Sequence, residues 1–392
     1  MKICILWKND YPWDVRIEKF AITLKEAGHD VYLLCSNIKK LPREEIVNDI
    51  KIFRSPFSNN NLINSAISAP FYFNPFWLRM VNKIVKQHNI ELIIVRDLPL
   101  ILIALLIKKI YHIPLILDMA ENYPAMYWNR IKKGGFSAFK NWFLKNPYLI
   151  SYIEKYAIKR VDHIFVVVKE SAKRLISKGA NENKISIVSN TPDLKIFQKK
   201  RYNKKKYLQI IYIGFIQEGR GIDTVINSLY KIKENNGLAV KFIVIGDGDY
   251  LNQLKILVKK QSIEDVVEFK GWMKNTAIPQ YIFESDIGII PHRKTEHTDS
   301  TIPNKLFDYM ACGKPVIVSN AEPMKRIVKE EKCGLVFCSG NVEDFALTVE
   351  KAIGNSELLC KMGENGMKAV ERRYNWKYDS LILKQVVDRF RK

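Results

Sequence analysis

The sequence predicts an α/β chain with two doubly wound parallel sheets, one in each half. Short β-branched runs alternate with helical patterns along both halves, which is how parallel strands joined by right-handed helical crossovers read in sequence. A polar, basic stretch without apolar period, QKKRYNKKKY (198 to 207), interrupts the alternation and reads as a surface linker. A chain of 392 residues with 47% hydrophobic content is long enough to bury two cores.

In the first half the strands are KICILW, DVYLLC, ELIIV, IPLILD and HIFVVV, with a helix expected from about residue 14 to 27. The second half restarts with LQIIYIG, VKFIVIG, VVEFKG, DIGIIP and PVIVS, separated by helical segments. The expected domains are a Rossmann-like N-terminal domain over 1–195 and a second Rossmann-like domain over 196–375. A final helix over 376–392 is expected to cross back to the first. Two such domains would face each other across a cleft, and ligands of open α/β sheets bind at the C-terminal ends of the strands.

Composition narrows the function classes. There are 63 Lys+Arg against 41 Asp+Glu, a formal charge of +22, so the surface attracts polyanions: nucleic acid, anionic lipid or phosphorylated small molecules. Neither a C₂H₂ spacing nor an RNP-like aromatic signature supports specific nucleic-acid binding. Six scattered cysteines without a C-x-x-C pair, and an N-terminus without the apolar core of a leader, fit a reducing cytoplasm. The longest apolar run, LPLILIALLI (98 to 107), is far shorter than the ~18 residues a membrane span needs and reads as a helix buried on a sheet.

The stretch STIPNKLFDYMACGKPVIVSN (300 to 320) places a carboxylate in an apolar helical pattern. Pro303 suits a first helical turn and Gly313 with Pro315 ends the segment, so a helix is expected over about 302 to 312. Leu306, Phe307 and Met310 form its apolar stripe, leaving Asn304, Lys305 and Asp308 on a more polar side.

From Asp308 onward this segment resembles the retaining GT-B glycosyltransferases of glycosyltransferase family 4 (glycosyl transferases group 1). That family carries two acidic residues separated by seven, the second followed by a small-residue turn and GxPVI. The resemblance implies that Asp308 stands for the second acid, a glutamate in the family, which takes the ribose hydroxyls of a nucleotide-sugar donor. A carboxylate is acceptor-only and can receive both vicinal hydroxyls. The first acid falls at Ser300, a departure at the position that contacts the transferred sugar. The backbone N–H groups of Ser300, Thr301 and Ile302, just before the helix, are expected to grip a diphosphate.

A second match is YIGFIQEGRGIDTVINSL (212 to 229). Gly214, Arg220 and Gly221 keep the family's spacing, with Arg220 standing for its lysine and Phe215 occupying the position of its arginine. Arg220 and Lys305 are therefore the expected catalytic cations, stabilising the departing diphosphate. EFKGWM (268 to 273) resembles the loop that holds the base, with Trp272 and Met273 as candidates to cover it. No D-x-D-like dyad points to a metal and no cofactor is expected. VIGDGDYLNQL (244 to 254) lacks the third glycine of a dinucleotide fingerprint.

In the first half, NDYPWDVRIEKFAITLKEAGHDVYLL (9 to 34) resembles the family's opening strand, loop and helix. LDMAENYP (117 to 124) resembles its D-x-H-E motif with Ala120 in place of His. Asp14, Arg16, Asp118 and Glu121 are the acceptor-side candidates; Asp14 as a helix cap with a surface Arg16 is the plain alternative.

From Arg130 to Arg160, bases alternate with Phe136, Phe139, Trp142, Phe143, Tyr148, Tyr152 and Tyr156, the pattern of a helix on an anionic membrane surface or of a face docked on the sheet. The resemblance implies transfer of a sugar from a nucleotide diphosphate to a glycan or lipid-linked acceptor, with peripheral attachment to a membrane. A nucleotide-sugar epimerase, a basic nucleic-acid-binding protein and a catalytically degenerate relative remain the alternatives.

Overall fold

The computed structural model describes residues 1–12, 14–57, 72, 74–132, 146–197, 207–236, 240–274 and 276–391. The aromatic residues Phe136, Phe139, Trp142 and Phe143, their basic neighbours Lys133, Lys140 and Lys145, and the basic stretch 198–206 lie outside the described residues. The chain divides into two compact units, Met1–Ser189 with Asp379–Lys392, and Asn190–Tyr378.

The strands of unit 1 are β1 (Lys2–Asp10), β2 (Asp30–Ser36), β3 (Glu44–Val47), β4 (Ile50–Arg54), β5 (Leu92–Arg96), β6 (Leu115–Met119), β7 (His163–Val166) and β8 (Ile185–Ile187). Its helices are α1 (Val15–Glu26), α2 (Pro75–His88), α3 (Ile101–Tyr111), α4 (Tyr123–Lys132), α5 (Pro147–Ile158) and α6 (Lys169–Ser177). The sheet runs β3-β4-β2-β1-β5-β6-β7-β8. It is parallel except for β3, which pairs antiparallel with β4. The sequence pattern anticipated neither this hairpin nor β8. The hairpin turns on Asn48 and Asp49, both with positive φ (50° and 59°), the residue types that tolerate the left-handed region a two-residue turn demands.

The starts of α1, α2 and α5 carry a side-chain cap, while those of α3 and α6 have none. Asn74 accepts from Phe76 N and Trp77 N and Asn146 from Tyr148 N, and each precedes a proline at the first helical position. The run 98 to 107 becomes the start of α3, whose Ile103, Ala104 and Ile107 pack with Leu6, Val95 and Leu117 of the sheet. Among the described residues no helix is long and apolar enough to cross a membrane.

Unit 2 contains β9 (Leu208–Ile213), β10 (Val240–Ile245), β11 (Val267–Gly271), β12 (Ile287–Ile290), β13 (Val316–Ser319) and β14 (Gly334–Phe337). Between and after them lie α7 (Ile222–Asn236), α8 (Leu251–Lys260), α9 (Ile278–Phe283), α10 (Asn304–Ala311), α11 (Glu322–Glu331), α12 (Val342–Ile353) and α13 (Ser356–Arg372). The last helix, α14 (Trp376–Asp388), starts in unit 2 and ends in unit 1. The unit 2 sheet is parallel throughout, in the order β11-β10-β9-β12-β13-β14. Its core joins Ile210, Tyr212, Phe242 and Val244 of the sheet to Val225 and Leu229 of α7 and Phe345 of α12.

Each sheet grows one way from its first strand and then back on the other side. The reversals fall between β1 and β5 and between β9 and β12. At such points the two flanking loops diverge and leave a crevice at the strand ends. Helix α10 starts at Asn304, two residues later than the pattern predicted, because Pro303 adopts extended backbone (ψ 135°) and serves as the residue before the helix. Buried Tyr309 fastens α10 to β9: its hydroxyl accepts from Ile213 N at 3.1 Å and donates to Ile211 O at 3.3 Å. Replacing Tyr309 by Phe leaves both backbone groups without that partner, and is expected to lower the unfolding free energy by about 1–2 kcal/mol in urea titrations.

Candidate functional site

At the β9/β12 crevice of unit 2 three basic side chains converge. Arg220 sits on a short turn between β9 and α7, and its Nη1 lies 3.4 Å from Nδ1 and 3.5 Å from Nε2 of His292, which follows β12. The Lys305 ammonium, from the first turn of α10, lies 3.8 Å from the Tyr212 ring centroid. Two glycines make this convergence possible. A Cβ on Gly214 (φ 128°) would stand 2.9 Å from Lys305 Nζ, and one on Gly221 (φ 68°) would meet Pro291 O at 2.0 Å. Arg293 N donates to Gly219 O and Arg293 Nη2 pairs with Asp223 at 2.6 Å, so the loop after β12 is tied to the turn that carries Arg220.

Electrostatically the cluster is unbalanced. Burial, and then the like charge of Arg220, push the Lys305 ammonium well below the ordinary lysine range, with Asp308 one helical turn on as the opposing influence. His292, 3% exposed, is held well below the usual histidine range by burial and by Arg220, Lys305 and His297. A neutral imidazole beside Arg220 can accept a hydrogen bond from it without adding charge. An anion placed here would gain charge-assisted bonds and relieve the repulsion between Arg220 and Lys305. Arg220 and Lys305 are marked by the sequence pattern, but His292 is not; its one signal is its place directly after a wholly buried strand and a proline.

The other donor-side candidates divide. Asp308 is partly exposed on α10, while Leu306, Phe307, Tyr309 and Met310 are buried. Ser300 is buried, and its hydroxyl donates to Glu296 O at 2.8 Å and His297 O at 3.2 Å, so it closes its own turn. Thr301 Oγ1 likewise donates to His297 O at 3.0 Å, and the Ile302 side chain is buried. Asp299 is held by Lys294 at 2.9 Å and caps Glu322 N at 2.9 Å. Trp272 is 71% exposed at the end of β11, Met273 beside it is partly buried, and Phe215 is 57% exposed after β9. Among the described residues no group of three or more His, Cys, Asp or Glu is placed to hold a metal ion.

At the β1/β5 crevice of unit 1 the charges balance instead. Asp14 caps α1, accepting from Arg16 N at 3.0 Å and Ile17 N at 2.9 Å. Arg16 is buried, pairs with Asp118 at 2.6 Å and donates to Ser189 O at 3.1 Å. Arg96 reaches the other Asp118 oxygen at 3.1 Å and lies 3.6 Å from Asp97. The two guanidiniums hold the Asp118 carboxyl below its usual range despite burial. Burial pushes Asp97 up to about 7, with Arg96 opposing, and its Oδ1 accepts from Ala120 N and Glu121 N. Arg96 and Asp97 were not anticipated; a charged pair closing the apolar run LIIV was their signal. Glu121 is partly exposed at this strand end.

Residues 15–195 match the family described as Glycosyltransferase Family 4, and residues 194–369 match Glycosyl transferases group 1. The chain is similar to an uncharacterized glycosyltransferase of Methanocaldococcus jannaschii, 22% identical over 386 residues, covering 96% of this chain and 94% of the relative. In fold it is similar to sucrose-phosphate synthase from Thermosynechococcus elongatus, with a TM-score of 0.81 at 14% identity over 99% of this chain and 98% of that one. It is also similar to Anabaena HepE in complex with UDP-glucose, with a TM-score of 0.72 at 14% identity over 99% of each chain.

Two expectations follow from the charges. Between the lowered pKa of Lys305 in the folded state and the ordinary lysine value of about 10.4, the unfolded chain binds more protons, so stability without ligand rises with pH. Unfolding midpoints measured across that window should rise in the wild type and lose this slope in Lys305→Met. In unit 1, Asp118→Ala leaves two buried guanidiniums without their shared carboxylate and should cost about 3–5 kcal/mol in chemical unfolding.

Proposed function

We propose, for a chain that belongs to the group 1 and family 4 glycosyltransferases of the GT-B fold, that it moves a sugar from a nucleotide diphosphate to an acceptor hydroxyl with retention of configuration. The observation that carries this reading is the pair of cations Arg220 and Lys305 with a neutral His292 at the β9/β12 crevice. Unit 2 takes the donor. Asp308 receives the ribose hydroxyls, the exposed Trp272 covers the base, and Arg220 and Lys305 hold the diphosphate.

In the transfer, the bond from the sugar's anomeric carbon to the phosphate oxygen breaks with its electron pair going to the diphosphate. The two cations stabilise that charge as it builds, in a partly desolvated site where such stabilisation is strongest. The acceptor hydroxyl bonds to the anomeric carbon on the face the phosphate leaves, and its proton passes to the departing phosphate oxygen. Because side chains supply the positive charge, no divalent ion is needed in this reading. Ser300, turned onto its own backbone, offers the sugar no carboxylate, so the sugar is held by the loop backbone and by Phe215.

Unit 1 takes the acceptor at the strand ends, where Asp97 fixes the loop that carries Glu121 by accepting from Ala120 N and Glu121 N. The acceptor is a lipid-linked or growing cell-surface glycan, which places the enzyme on the cytoplasmic face of a membrane. The bound donor of the Anabaena neighbour puts UDP-sugars first in a screen that also includes GDP- and ADP-sugars.

A ligand that binds only the folded state raises the melting temperature, so one sugar nucleotide should shift it clearly and the others weakly. Asp308→Ala should weaken binding of that donor roughly 10- to 100-fold, the loss of one or two charge-assisted hydrogen bonds, with little change in the ligand-free melting temperature. Unchanged donor affinity in this variant removes Asp308 from the site. Donor binding without turnover on any glycan acceptor identifies a degenerate relative, and release of an epimerised sugar without acceptor identifies an epimerase.

A further inference from the structure

Unit 1 carries an apolar groove of about 1270 Å³ between α3 and α5. Its floor and walls come from Leu102, Leu105 and Leu106 of α3 and from Leu149, Ile153 and Tyr156 of α5. His112 and Pro114, in the loop that leads into β6, close one end. The groove therefore lies where β6 begins, while Asp118 stands near the other end of that five-residue strand, so the two places are distinct.

The rim is unusual for a solvent-facing surface. Leu106, Ile110, Tyr148, Leu149, Tyr152 and Tyr156 are each between 38% and 69% exposed and sit on these two neighbouring helices. Adjacent exposed apolar side chains of this size mark an interaction surface. Around them stand Lys109, Lys155 and Arg160, and the Arg160 guanidinium covers the Tyr156 ring at 3.7 Å from its centroid. The carboxylate that lines the groove, Asp162, is already paired with Lys108 at 2.6 Å. Glu154 of α5 is buried and held by Arg174 and Lys178, so it does not offset this charge.

We propose that the α3–α5 face docks on an anionic bilayer, with a lipid hydrocarbon chain entering the groove and its phosphate meeting Lys109 and Arg160. Tyrosines with an apolar body and a polar tip suit the headgroup boundary, and lysine and arginine stems cover apolar surface while their charges reach the phosphates. A symmetric second copy fits the face poorly, because a two-fold contact would set these bases against themselves. The proposal rests on the proposed function only in that a lipid-linked acceptor would give the docking a purpose. It extends the sequence reading of residues 130 to 160 to α3, which that reading did not include.

The test is co-sedimentation of the full chain with phosphatidylcholine vesicles, with and without phosphatidylglycerol, at low and high salt. Two variants are compared, Leu149→Ser with Tyr152→Ser, and Lys109→Glu with Arg160→Glu; all four side chains are at least partly exposed. Wild type should bind the anionic vesicles in a salt-sensitive way, and each variant should lose at least about tenfold in affinity with its melting temperature and sugar-nucleotide binding intact. Unchanged vesicle binding in both variants overturns the proposal, as does wild type that ignores anionic vesicles at low salt. A concentration-dependent dimer in sedimentation velocity that both variants abolish assigns the face to a second copy and also overturns it. Vesicle binding that follows the variants in a chain that binds no sugar nucleotide leaves this proposal standing and sinks the donor reading instead.

Discussion

The proposed chemistry of this chain depends on a lysine side chain buried within the field of an arginine. Lys305 reaches that place because Tyr309, on the same short helix, is fastened to the backbone of β9, and because Gly214 leaves room where a side chain would stand. Arg220 arrives from the neighbouring strand's turn, which Gly221 lets pass close to Pro291. None of these contacts relieves the repulsion between the two cations. Two like charges are costly there without an anion, so the fold holds them in readiness for one.

Unit 1 resolves a comparable problem in the opposite way. Its sheet reversal also gathers charged side chains, but Arg16 and Arg96 share Asp118, and Asp97 uses two backbone N–H groups of the loop beyond β6. A buried network whose charges cancel has little electrostatic affinity left for a ligand, and its effect is to fix the loops around it. One parallel-sheet architecture thus carries a cluster of like charges in one unit and a paired, hydrogen-bonded network in the other. The α3–α5 face adds a third chemistry, apolar with a basic rim, on a part of unit 1 that neither crevice uses.

Much of this was legible in the sequence, for reasons that can be named. Strands buried on both faces read as continuous β-branched runs, so the central strands of both sheets were evident, whereas the short elements β3, β4, β8 and β14, at or next to a sheet edge, were not. The helical period placed Lys305 and Asp308 one turn apart without coordinates. It could not show that the Ser300 hydroxyl folds back on Glu296 and His297, since a side chain's direction in an irregular turn is set by tertiary packing. His292, Arg96 and Asp97 escaped because a polar residue just past a strand looks like the start of any loop; its meaning comes from which strand lies beside it. In sequence Arg16 is an acceptor-side candidate with a surface base as the alternative; that it is buried on Asp118 was not legible because the partner lies 102 positions away.

Burial and Arg220 lower the proton affinity of Lys305 on folding, and in the proposed function a bound diphosphate restores it. Titration calorimetry of a nucleoside diphosphate at mildly alkaline pH, repeated in two buffers of different ionisation enthalpy, measures the protons taken up on binding. The account predicts net uptake in the wild type, an affinity that falls as pH rises, and loss of both in Lys305→Met. Binding with no proton uptake, at an affinity that Lys305→Met leaves unchanged, would contradict it.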